Sequence, residues 1–170
     1  MKRPRTAEDS SAIRDSPAAN GASGGSGGFR REDDARLAAP NFNERYPAVP
    51  RSAGAVRKAL TRFAREYGIV QPTIDAIALA ASEAVTNVVV HAYSDAREPG
   101  RVEVTAVLAA DELWVMVTDA GSGLRPRRDS PGLGLGLAII ARVADGVDLV
   151  EPSDGGLEVR MRFALDEDRA

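Results

Sequence analysis

Apolar and polar positions along this chain repeat with two different periods, and the changes of period mark its elements. Residues 53–67 place Val56, Leu60, Phe63 and Tyr67 on one helical face, with Gly68 as the stop. Pro72 and Thr73 open a second helix that runs to about Tyr93, with Thr73 the candidate N-cap. Strands are expected over Arg101–Leu108 and Glu112–Thr118, joined by a tight turn at Ala109, Ala110 and Asp111. Gly136–Ala144 reads as a third helix. Gly146–Val150 and Leu157–Leu165 form a closing hairpin through Ser153, Asp154, Gly155 and Gly156.

The last strand alternates cleanly. Leu157, Val159, Met161, Phe163 and Leu165 face one way, and Glu158, Arg160 and Arg162 face the other. A sheet with one wet face is antiparallel in character, so the helices must cover its other face. The expected fold is α+β, a two-layer α/β sandwich with a mostly antiparallel sheet, and not a doubly wound parallel one.

Composition divides the chain. Among the first 40 residues the only apolar side chains larger than Ala are Met1, Ile13, Phe29 and Leu37, and residues 20–28 are almost wholly Gly, Ser and Ala. Such a stretch cannot bury enough surface to offset an ordering entropy of roughly 1–2 kcal/mol per residue. Residues 1–44 are therefore expected to be a disordered tail, 45–166 the folded domain and 167–170 a short C-terminal tail. The seven basic and six acidic residues of the first 40 nearly cancel, so the tail is not a basic arm.

Charge and rare residues exclude much chemistry. The 170 residues carry 22 basic and 25 acidic side chains, a net −3, which gives no electrostatic reason to expect nucleic-acid binding. The longest uninterrupted apolar run, Ala76 to Ala81, is too short to span a bilayer, and no apolar segment follows the basic start. A cytoplasmic protein is expected. With no Cys and one His, disulfides, thiolate zinc sites, a cysteine nucleophile and multi-His metal centres are excluded.

The second helix is apolar nearly all round, as buried helices are, yet Glu83, Asn87 and His91 recur every four residues. A carboxylate on a buried helix costs several kcal/mol unless something pairs with it. Two readings stand: a stripe facing solvent, or the floor of a ligand cavity. In the second, Glu83 could abstract a proton and the Asn87 amide oxygen could hold a hard cation such as Mg²⁺. His91 reads as structural, hydrogen-bonding at the helix end.

Two glycine loops follow. The second strand ends in Asp119, Ala120, Gly121, Ser122 and Gly123, which alone reads as a glycine turn with an Asx hydrogen bond. Gly132, Gly134, Gly136 and Leu137 then run straight into the third helix, where glycines expose backbone N–H groups and the dipole favours an anion. The run matches neither the P-loop nor the dinucleotide fingerprint. Between the loops, Arg125, Arg127 and Arg128 read as a solvated segment or as a lid over phosphates. In this order the pieces describe a nucleotide pocket.

Glu83 and Asn87 on a helix, then Asp119, Gly121 and Gly123, then Gly134, Gly136 and Leu137 resemble the N, G1 and G2 boxes of the GHKL ATP-binding superfamily. Residues 81–93 (ASEAVTNVVVHAY) look most like the bacterial anti-sigma-factor serine/threonine kinases, and the likeness covers residues 48–165. The resemblance implies ATP and Mg²⁺ as cofactors and a role for each residue. Asn87 would coordinate Mg²⁺, and Asp119 would accept a hydrogen bond from the adenine amino group. Gly121 and Gly123 would let backbone pass close to the base. Gly132, Gly134, Gly136 and Leu137 would form the phosphate-binding turn. Glu83 would be the general base, and one of Arg125, Arg127 or Arg128 would reach the terminal phosphate. It implies a sigma factor and an anti-sigma antagonist as partners, and a homodimer, although no unpaired apolar face in the pattern requires one. Two other functions compete: an ATP-dependent binding switch without kinase activity, and a histidine-kinase-like catalytic domain acting in trans.

Overall fold

The computed structural model describes residues 42–93, 98–121 and 133–165, with Leu133 and Gly134 described by backbone alone. Five strands form one antiparallel sheet in the order β1-β2-β3-β5-β4. They are β1 (Phe42–Pro47), β2 (Arg101–Ala109), β3 (Glu112–Asp119), β4 (Gly146–Val150) and β5 (Leu157–Ala164). The helices are α1 (Pro50–Glu66), α2 (Gln71–Asn87), continued by a π turn at Val88–Ala92, and α3 (Leu133–Val143). One core joins Val56 and Leu60 of α1, Ile77, Ala81 and Val85 of α2, and Ile140 of α3 to one sheet face. That face presents Val102, Val104, Leu113, Val115, Val117, Val159, Met161 and Phe163. Each large apolar side chain buried there contributes roughly 1.5–3 kcal/mol, so the helix layer and the sheet are mutually dependent. The two-layer antiparallel sandwich is as expected.

Helix α1 follows its pattern. Val56, Leu60 and Phe63 are buried, and Pro50 sits in the first turn where its missing N–H costs nothing. It ends at Gly68, whose φ of 71° allows the Ile69 N–H to reach the Ala64 carbonyl and the Gly68 N–H to reach Arg65. Tyr67 departs from the expected face: it is the C-cap, exposed, with its ring 4.8 Å from that of Phe63.

The domain starts earlier than composition suggests. Strand β1 begins at Phe42, so residues 42–44 belong to the sheet and not to a tail ending at 44. Phe42 packs with its ring 5.7 Å from Phe63, and Asn43 donates to Glu103 and Thr105 across the ladder. The inward Glu44 hides the alternation; the Tyr46 hydroxyl donates to its carboxylate, which makes an acid tolerable there.

Thr73 is not an N-cap. Helix α2 starts at Gln71 with Val70 as its cap, so Thr73 lies inside the helix, buried, with its hydroxyl unpartnered. At the other end the three successive valines, crowded at χ1 in a helix, coincide with the change from α to π bonding. Together α2 and the π turn make a 22-residue apolar helix, long enough by composition to cross a membrane, contrary to the estimate from uninterrupted runs. Its residues Ile74, Ile77, Ala80, Ala81, Ala84 and Val85 are buried in the domain core.

The sheet's other face carries cross-strand polar pairs: Arg45–Glu103 at 2.8 Å, Arg162–Glu112 at 2.6 Å and Thr118–Glu158 at 3.0 Å. It is not uniformly wet. Val107, Trp114 and Met116 form a second, smaller buried apolar cluster on it, which simple alternation did not anticipate.

Candidate functional site

The expected stripe on α2 is built as drawn at two of its three positions. Glu83 and Asn87 lie one helical turn apart, both half-buried, and Asn87 is the last residue before the π turn. The i→i+5 bonding beyond it changes the residues per turn, so His91 is no longer one α-turn on from Asn87. His91 is half-buried at the end of the π turn.

The Asn87 amide points at the first turn of α3. Its Oδ1 lies 2.9 Å, and its Nδ2 3.1 Å, from the point a Cβ on Gly136 would occupy, so any side chain there would displace the amide. The Nδ2 group is buried and has no protein partner. A buried donor left unmatched costs about 1–3 kcal/mol, which an acceptor on a bound molecule would recover. Leu133, Gly134, Leu135 and Gly136 are the first four residues of α3, and their N–H groups have no acceptor within the helix. An amide with an unmet donor thus meets a helix N-terminus suited to an anion.

Asp119 is the remaining carboxylate of the expected constellation. It ends β3 on the core face, continuing the row Leu113, Val115, Val117, and is only 5% exposed. Burial raises its pKa above the ordinary carboxylate value, and N–H groups of Gly121 and Leu157 bonding to the ionised form oppose the rise. The Gly121 N–H bond is 2.7 Å long, the Asx turn expected from the residue order. Gly121 itself is packed against the Ala92 carbonyl oxygen so closely that a Cβ would overlap it.

The structure therefore sets Asn87 against Gly136 at the start of α3, and sets Gly121, bonded to Asp119, against Ala92 at the end of the helical segment that carries Glu83 and Asn87. Gly123, Arg125, Arg127, Arg128 and Gly132 lie outside the described residues. Leu137 is half-buried and its side chain packs against the core.

Two contributors escape a motif reading. Gly156, buried at the β4–β5 hairpin with φ 86°, lies where a Cβ would collide with the Asp119 carbonyl oxygen. The Gly155-Gly156 pair signals a turn, but not that the turn abuts Asp119. The second is Tyr93, whose hydroxyl accepts from the Ala120 N–H next to Asp119.

Residues 46–163 match the histidine kinase-like ATPase domain, which is more than half of the chain. The chain belongs to this family. Membership of the histidine kinase-like ATPase family implies ATP binding. Over 137 residues it is 31% identical to a serine-protein kinase RsbW of Halalkalibacterium halodurans, covering 72% of this chain and 82% of that protein. It is 28% identical over 137 residues to an anti-sigma F factor of Clostridium acetobutylicum, covering 73% and 94%. The crystal structure of the RsbU and RsbW domains of a Mycobacterium tuberculosis protein superposes with a TM-score of 0.57 at 26% identity. That match takes in 75% of this chain and spans a third of the larger protein. Within the family, these relatives align it with the anti-sigma serine kinases.

Proposed function

We propose that this protein is an anti-sigma regulatory factor that binds Mg²⁺-ATP and phosphorylates a serine or threonine of an anti-sigma antagonist, thereby controlling release of a sigma factor. The observation that carries this reading is the Asn87 amide, with its unmatched buried Nδ2, facing the first turn of α3 one turn from Glu83. The kinase and anti-sigma names of the relatives support the same assignment.

Each residue then has a task. The Asp119 carboxylate accepts from the adenine 6-amino group, a position at which guanine presents a carbonyl instead. The N–H groups at the start of α3 bind phosphate oxygens, and the Asn87 Nδ2 donates to one of them. Asn87 Oδ1 would be the protein ligand for Mg²⁺, which would supply charge neutralisation at the phosphates. A single amide oxygen fits a hard cation whose other ligands would come from phosphates and water. Glu83 takes the proton of the incoming hydroxyl. The hydroxyl oxygen bonds to the terminal phosphorus as the bridge to the β-phosphate breaks, and ADP leaves. Phosphoryl transfer asks chiefly for positioning and charge stabilisation, which this constellation offers. The role places the protein in the cytoplasm with its partners.

The test is to incubate the full chain with γ-labelled ATP, Mg²⁺ and candidate antagonist domains. Label on a serine or threonine of one antagonist, dependent on Mg²⁺, is the expected result. ATP-dependent binding of a partner with no transfer to any antagonist would instead identify a switch without kinase activity.

A further inference from the structure

We infer that Tyr93 is a positioning residue for base recognition, holding the Asp119 turn in the conformation that reads the base. This inference rests on the ATP reading above and extends it to a residue outside the three boxes.

The observation is a hydroxyl wedged into the end of a β-ladder. Strands β2 and β3 pair from Ala109 opposite Glu112 to Val102 opposite Asp119, and the next positions are Arg101 and Ala120. Tyr93 stands between them. Its hydroxyl donates to the Arg101 carbonyl at 2.7 Å and accepts from the Ala120 N–H at 3.1 Å. The ladder's last connection is thus relayed through a side chain, and β3 is free to leave the sheet at the residue where Asp119 turns. Without the hydroxyl, the Ala120 N–H must find water or close directly on β2, and either moves the peptide that follows Asp119.

The ring is located as firmly as its hydroxyl. A Cβ on Gly100 would overlap the Tyr93 ring atoms Cε1 and Cζ, so the ring lies flush on bare backbone. The preceding residue acts in the same direction, because the Ala92 carbonyl oxygen abuts Gly121. Both contacts come from the end of the π turn that starts directly after Asn87. One short segment therefore runs from the phosphate end of the site to the base end. It fixes Asp119 through the two residues that follow it, Ala120 and Gly121.

A residue acting this way controls the base and leaves the phosphates alone. The experiment measures dissociation constants of the full-length wild type, Tyr93→Phe and Gly100→Ala for Mg²⁺-ATP, Mg²⁺-GTP and Mg²⁺-tripolyphosphate. Tyr93→Phe keeps the ring and loses two hydrogen bonds. It should weaken ATP about tenfold and narrow the ATP-over-GTP preference by a similar factor, with tripolyphosphate affinity unchanged. Gly100→Ala should reproduce the effect by shifting the ring, since the backbone there is not in the left-handed region. A purely structural role would lower the melting temperature and all three affinities together, and that result overturns the inference. So does a Tyr93→Phe protein with wild-type ATP affinity and base preference. A wild type that binds neither nucleotide overturns the ATP reading itself.

Discussion

The Asn87 amide oxygen lies 2.9 Å from the point where a Cβ on Gly136 would stand, which makes the bare backbone of α3 the wall against which the amide is set. Gly136→Ala should therefore separate stability from binding. Alanine is favoured over glycine in a helix by up to about 1 kcal/mol, so the melting temperature should hold or rise. The displaced amide should cost at least about tenfold in Mg²⁺-ATP affinity, by loss of hydrogen bonds to a charged group. Calorimetry and a thermal melt on the same sample check both; unchanged affinity would remove Gly136 from the site.

Asp119 gives a pH prediction whose sign follows from its burial. Its folded pKa is raised above the ordinary value of 3.8, so the ionised carboxylate costs the unliganded fold stability at neutral pH. That cost is relieved as pH falls through the raised value toward 3.8. Asp119→Asn should thus be as stable as the wild type or more so at pH 7, with the difference shrinking toward pH 4. The same substitution should weaken ATP about 10–100-fold at pH 7, the worth of a hydrogen bond to a charged acceptor. Denaturant melts across pH, paired with nucleotide titrations, measure both, and a stability gap that widens on acidification would contradict the assignment.

The start of the domain can be located by truncation. Removing residues 1–44 takes Phe42 from its contact with Phe63 and Asn43 from its bonds to Glu103 and Thr105; removing 1–41 leaves all of them. The longer deletion should melt at least about 5 °C below the shorter, as a loss of one to two kcal/mol would give. Equal melting temperatures would place β1 outside the cooperative unit.

Much of this was legible because it is local. The stripe of Glu83 and Asn87, the Asx turn at Asp119, the glycines opening α3 and the stop at Gly68 depend on residues within one or two turns of each other. The three-box order carried the family. What was not legible depends on distant neighbours. The inward Glu44 disguised β1 because its partner is the Tyr46 hydroxyl, and Thr73 looked like a cap although Val70 starts the helix without one. Tyr93 and Gly156 serve Asp119 from 26 residues before it and 37 after it in the sequence, where no spacing rule reaches. The buried Val107, Trp114 and Met116 lie on a face where alternation promised only polar residues.

In the proposed mechanism one face of α2 separates binding from chemistry, with Asn87 holding the metal nucleotide and Glu83 moving the proton. Single-turnover transfer from labelled ATP to an antagonist domain, by wild type and Glu83→Gln, tests it most directly when Mg²⁺-ATP affinity is measured beside it. Glutamine keeps the shape and loses only the basic oxygen, so affinity should stay within about twofold while transfer slows roughly 10²–10⁴-fold. Transfer by Glu83→Gln at the wild-type rate would show that Glu83 is not the base, and the division of labour along α2 would be wrong.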